Sequence, residues 1–238
     1  MPQNKRHHYV PRFYLKRFTD DERFINLYNL KAEKKITNAK LKNQCYQNYL
    51  YGKDRPVEKS LAHIETGASQ LFRKIDHYQR PPPPGTEDQY LMLVYLMMQR
   101  GRTIHAADTI NEMFDKMTKE TWGDYFMQKD GIDLNDFEIG IEDSANYALG
   151  LSMTMYPLLF DMHYKLLVNK ASVEFITSDH PVVTIKSPLK SPAHRTCTSS
   201  TPCRCARQWT MSISMIPLST WKRCTGRRVR ICGQSEPW

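Results

Sequence analysis

The sequence predicts a mainly α domain of the α+β class. Long helices are joined by a small antiparallel sheet built from segments near the N-terminus and around 162–185. Three observations carry this expectation. Val57, Leu61, Ile64, Ala68, Leu71, Phe72 and Ile75 recur at three- and four-residue spacing, which places one apolar stripe along a helix over 56–76. Thr86, followed by Glu87 and Asp88, has the chemistry of an N-cap and acidic first turn, with Leu91, Val94, Tyr95 and Met98 carrying the helix towards His105 and beyond. Residues 23–29 (RFINLYN) alternate like a strand instead.

The remaining elements follow in chain order. Residues 8–18 (HYVPRFYLKRF) read as an extended lead-in and a short helix: Pro11 suits its first turn, and Phe13, Tyr14 and Phe18 make an aromatic face. Residues 31–38 form a polar turn and the return of a hairpin with 23–29. The run Pro81 to Pro84, then Gly85, breaks the chain between the two long helices. Residues 122–142 are less regular, and 146–161 read as a third helix ended or kinked near Pro157. The period then changes. Residues 164–168 (YKLLV) and 173–177 (VEFIT) read as strands joined by an Asn169-Lys170-Ala171 turn, with Pro181-Val182-Val183 continuing outward.

Charge divides the chain at residue 185. From Lys186 onward there are ten Lys and Arg against a single acid, Glu236, so the whole formal charge of +9 lies there and residues 1–185 are neutral. A basic pI therefore says nothing about nucleic-acid binding by the folded part. Five of the six cysteines and three of the four tryptophans also fall after 185, where Tyr, Phe, Asn and Asp are missing. The expected organisation is a family-type domain over 1–185, truncated at its C-terminal side, and a disordered tail over 186–238. Such a tail matches out-of-frame translation of a coding sequence; a native disordered basic extension is the second reading. A zinc module is the third, since Cys203-x-Cys205 and Cys224-x7-Cys232 lack paired C-x2-C spacing.

No apolar run follows the polar residues 1–6, so no secretory leader is expected. The longest apolar stretch, 90–98, is far below the roughly 20 residues that cross a bilayer. A soluble, cytoplasmic protein without a membrane partner is the expectation. Phosphate-loop, dinucleotide-binding, H-E-x-x-H and G-x-S-x-G motifs are all missing, which disfavours an NTPase, a Rossmann dehydrogenase or a serine hydrolase.

Two segments carry site chemistry. His7-His8-Tyr9-Val10-Pro11-Arg12 offers His8 as base, acid or metal ligand and Arg12 as a carboxylate or phosphate clamp. The competing reading is a terminus in which His8 bonds backbone and seats the first helix. Phe175-Ile176-Thr177-Ser178-Asp179-His180-Pro181 delivers Asp179 and His180 at the end of a strand, where sites are often built. It is equally ordinary turn chemistry before a proline. Glu65, beside Ile64, and the Gln99, Arg100, Arg102 cluster complete the set, either as an ion pair or as part of a site. If His8, Glu65 and Asp179 converge, they form a catalytic set that holds a divalent metal ion and activates water, with Arg12, Arg102 and His180 binding substrate.

These segments, with Leu61-Ala62-His63-Ile64-Glu65 and Gln99-Arg100-Gly101-Arg102-Thr103 between them, resemble domain-of-unknown-function family 4238 over residues 5–185. The resemblance implies a microbial, soluble, mainly helical protein without an assigned reaction. It lends no catalytic residues, only a reason to treat His8, Glu65, Arg102 and Asp179 as one set. Family members continue beyond the Ser-Asp-X-Pro strand into further sheet and helix, and Ile216-Pro217-Leu218-Ser219 is a faint likeness of a segment there.

The leading functional expectation is a metal-dependent hydrolase, a nuclease or phosphoesterase using His8, Glu65 and Asp179, with Arg102 stabilising phosphate. The rival is a non-enzymatic binding or regulatory module in which the same polar residues form a structural network. A third is nonspecific nucleic-acid binding through the basic tail.

Overall fold

A computed structural model describes residues 5–53, 56–162, 164–170, 174–185, 210–213 and 231–233. Strand β1 (Arg6–His8) leads into helix α1 (Arg12–Leu15) and a 3-10 turn, Lys16–Phe18. Pro11, extended at φ −62° and ψ 140°, enters α1 as its fixed ring geometry favours. β2 (Phe24–Asn29) and β3 (Lys34–Lys40) form the expected hairpin, with a register shift between Ile25 and Leu27 where the Asn26 side chain accepts from the Asn38 amide at 3.1 Å. β4 (Tyr46–Asn48) pairs antiparallel with β1.

Helix α2 (Pro56–Tyr78) buries Leu61, Ala68, Leu71, Phe72 and Ile75, the stripe anticipated from spacing. α3 (Glu87–Gly101) starts at Thr86, whose hydroxyl accepts from the Gln89 amide. It is the central element: every residue from Met92 to Gln99 is buried, against α2 on one side and α5 on another. An aromatic cluster locks α1 to this pair, with Phe13, Phe72 and Tyr95 at centroid separations of 5.1–5.9 Å.

The second long helix does not run on through His105. It ends at Gly101, and Thr103 caps a new helix, α4 (Ile104–Asp130), by accepting from the Ala106 amide. Gly101 also permits a close crossing. A Cβ there would lie 2.5 Å from the Ser152 side chain and 2.8 Å from the Ala148 carbonyl of α5 (Ser144–Thr154). α4 continues as regular helix to Asp130, so 122–142 is less irregular than its sequence suggests; Gly131, at φ 66°, ends it. α5 then gives way to a 3-10 turn, Tyr156–Leu159, around Pro157.

The expected strand 164–168 is corrected to irregular chain, tied down by the Tyr164 hydroxyl donating to the Pro82 carbonyl at 3.0 Å and by Leu166 against the core. Of the expected strand 173–177, Val173 lies outside the described residues and 174–176 are irregular; only Thr177 enters a strand, β5 (Thr177–Ser178). β6 (Val182–Ile185) continues outward as expected and pairs antiparallel with β7 (Thr210–Ile213). β8 (Ile231–Gly233) lies between β2 and β5 and is parallel to both. Two segments of the tail are thus strands, and the rest of the tail expected to be disordered lies outside the described residues. Mainly helical architecture with small sheets, largely antiparallel, stands. Among the described residues no helix is long and apolar enough to cross a membrane.

Candidate functional site

The break between α3 and α4 places Arg102 inside the molecule, 3% exposed. Its guanidinium cannot shed its charge, so burial requires acceptors. Nη1 donates to Glu65 Oε1 on α2 at 2.6 Å, and Nη2 donates to the backbone carbonyl of His8 on β1. Its own carbonyl accepts from the buried Tyr51 hydroxyl at 2.7 Å. One turn earlier, Gln99 donates to the Tyr9 carbonyl at 3.0 Å. Gln99 and Arg102 therefore hold consecutive carbonyls of the N-terminal segment. Proximity of Glu65 and Tyr51 keeps the guanidinium more firmly protonated despite the opposing effect of burial.

Strand alternation sends His7 and His8 to opposite faces. His7 is the buried one: its ring stacks on Tyr51 at 5.7 Å, Nδ1 accepts from the Tyr51 amide, and Nε2 lies 3.3 Å from Glu58. His8 is half-buried and turns its Nδ1 to the Gln44 carbonyl at 3.1 Å. Burial lowers its pKa, as do the charges of Arg12, Arg102 and Arg6, while the Gln44 bond works the other way. Arg12 itself is exposed at the start of α1.

The Ser178–Pro181 turn meets the same helix break from another side. His180 Nδ1 is hydrogen-bonded to Thr103 Oγ1 at 2.7 Å, and the same oxygen accepts from the Ala106 amide. The His105 ring stands edge-on at 4.7 Å. Burial, followed by the charges of His105 and Arg100, lowers the His180 pKa to about 4. Burial, and then the charge of Asp179, raises the Cys45 thiol to about 12. Tyr14 anchors β5 by bonding Thr177 across 2.9 Å.

Of the expected set, the structure unites Glu65, Arg102 and the backbone of His8. It does not unite His8, Glu65 and Asp179 as metal ligands: the His8 ring is turned to Gln44 and Glu65 is engaged by Arg102. Among the described residues no group of three His, Cys, Asp or Glu side chains is placed to hold a metal ion. Arg102 spends one N–H of each Nη on internal acceptors, and its Nε is buried with no hydrogen-bond partner among the described residues. His180 joins Thr103 rather than Arg12. Gln99 belonged to the expected cluster; His7, Tyr51 and Thr103 were given no role from sequence, and the strand alternation of β1 was the available signal for His7.

No curated protein and no solved structure matches the chain. A family model described as a protein of unknown function, DUF4238, matches residues 6–221, passing the boundary at 185 and taking in the Ile216–Ser219 segment. The chain belongs to this DUF4238 family.

Proposed function

We propose that this domain is a non-enzymatic binding or regulatory module, and that its buried polar residues form a structural clasp. The observation that carries this reading is the internal engagement of Arg102. Its two terminal nitrogens serve Glu65 and the His8 carbonyl, and at 3% exposure the side chain presents almost no surface to a substrate. The clasp joins α2, the α3–α4 break and the N-terminal segment, while Thr103 and His180 join the Ser178–Pro181 turn to the same break. A partner binding to any of these segments would act on one connected unit.

The test compares the wild-type chain with His8→Ala and Asp179→Ala in two assays, thermal melting and metal-supplemented hydrolysis of a phosphodiester. Expected are lowered melting temperatures for Asp179→Ala and no metal-stimulated turnover by the wild type. Metal-stimulated turnover that both substitutions abolish at unchanged melting temperature would restore the hydrolase expectation.

A further inference from the structure

Helix α5 has the same chemistry on both sides. Between Ser144 and Phe160 the chain carries no Asp, Glu, Lys or Arg. Ala145, Ala148, Leu149 and Ser152 are buried against α3 and α4. On the other side, Tyr147, Gly150, Leu151 and Thr154 follow i, i+3, i+4 and i+7 spacing along α5, Met155 is its C-cap and Leu158 lies in the 3-10 turn beyond, and all six are exposed. Tyr147 is 54% exposed, Leu151 44% and Leu158 64%. That is the spacing of a face that packs, and a helix apolar all round is normally covered all round. Phe160 and Tyr90, stacked at 6.2 Å and also exposed, widen the patch.

We propose that this stripe pairs with the same stripe of a second copy of the chain, in an antiparallel two-fold helix pair centred between Gly150 and Leu151. Shape favours that centre. A Cβ at Gly150 would meet nothing within 4 Å, so the glycine leaves a notch beside the projecting Leu151. Two-fold antiparallel pairing seats each Leu151 over the other copy's Gly150 and sets each Tyr147 against the other's Thr154, the self-complementary arrangement that such symmetry requires. Charge favours the direction. Arg100 reaches the C-terminal end of the stripe, with Nη1 4.0 Å from Met155 Sδ, and Asp143 stands at the N-terminal end. Antiparallel pairing brings each Arg100 towards its partner's Asp143, whereas parallel pairing sets like charges together. The seam between carries no charge to repel its twin.

Sedimentation velocity of the full chain over a concentration series tests this. The expected result is a species of twice 27.9 kDa that gains population with concentration. Leu151→Glu shifts it to monomer, and Gly150→Met, which fills the notch in space that is open in the monomer, weakens it. Met113→Glu, at an exposed site on α4, leaves it intact. A wild type that stays monomeric overturns the proposal, as does a dimer that withstands both α5 substitutions. Oxidative footprinting of Met155 assigns the failure: protection in a monomer means that another segment of this chain covers the stripe, and protection only on added lipid vesicles means a membrane surface.

Discussion

Arg102 and Glu65, 37 residues apart in sequence, meet at 2.6 Å between the end of α3 and the middle of α2, and the same guanidinium holds the His8 carbonyl. Because His8 contributes its backbone, the contact does not depend on the imidazole. Arg102→Lys keeps a charge but cannot reach two acceptors in one plane, and it leaves a buried ammonium poorly bonded. A loss of about 3 kcal/mol is expected, the lower end for breaking a buried pair. His8→Ala forfeits the bond to Gln44 and the ring contact with Tyr46 but leaves the clasp, for a loss of about 1 kcal/mol. Urea unfolding measures both, and equal losses would count against the clasp.

Stability should fall as pH drops from about 6.5 to 4. A histidine whose pKa is lowered on folding resists a proton that the unfolded chain accepts, so its contribution is present above the unfolded value and is lost between the two values. For His180 the folded value is about 4. Allowing for solvent screening of a half-buried ring, roughly 1–2 kcal/mol is at stake. His180→Gln should flatten the melting-temperature profile within that window. Identical slopes for wild type and variant would remove His180 as the cause.

Two helical glycines should respond oppositely to alanine. At Gly101 the new methyl meets Ser152 at 2.5 Å and a backbone oxygen at 2.8 Å, so α3 and α5 must separate, at a cost of about 1–3 kcal/mol. At Gly123 on α4 nothing lies within 4 Å, and Gly123→Ala should stabilise by about 0.5–1 kcal/mol through helix propensity alone. Denaturant midpoints of the two variants read the contrast directly.

The basic tail sets a separate expectation. The charge of +9 resides entirely after Ile185, so any binding of DNA by the full chain should weaken steeply with salt and show no sequence preference. Truncation at Ser187 should abolish it in a fluorescence-anisotropy titration. Retained binding would move the contact onto the neutral domain.

What could be read from sequence followed local pattern. The α2 stripe, the Thr86 cap and the β2–β3 hairpin were legible because spacing, capping chemistry and alternation each act within a few residues. The α3–α4 break was not, because apolar character continues past it; Gly101 followed by Thr103 was the sign. Residues 164–168 have strand composition but pair with no strand among the described residues, and Tyr164 bonds Pro82 instead. β8 enters between β2 and β5 from some 200 residues downstream of β2, a pairing that no local pattern announces. At the site, Glu65 and Arg102 were recognised as an ion pair or a site, and the structure makes them a pair. The choice between His7 and His8 turned on which strand face is buried, which depends on β4 and Tyr51.

A double-mutant cycle between Glu65 and Arg102, followed by urea unfolding of wild type, Glu65→Gln, Arg102→Met and the pair, tests the clasp most directly. Residues in one buried network couple by about 0.5–3 kcal/mol. The expected result lies in the upper half of that range, with the double variant losing less than the sum of the single losses. Additive losses, with coupling near zero, would contradict it.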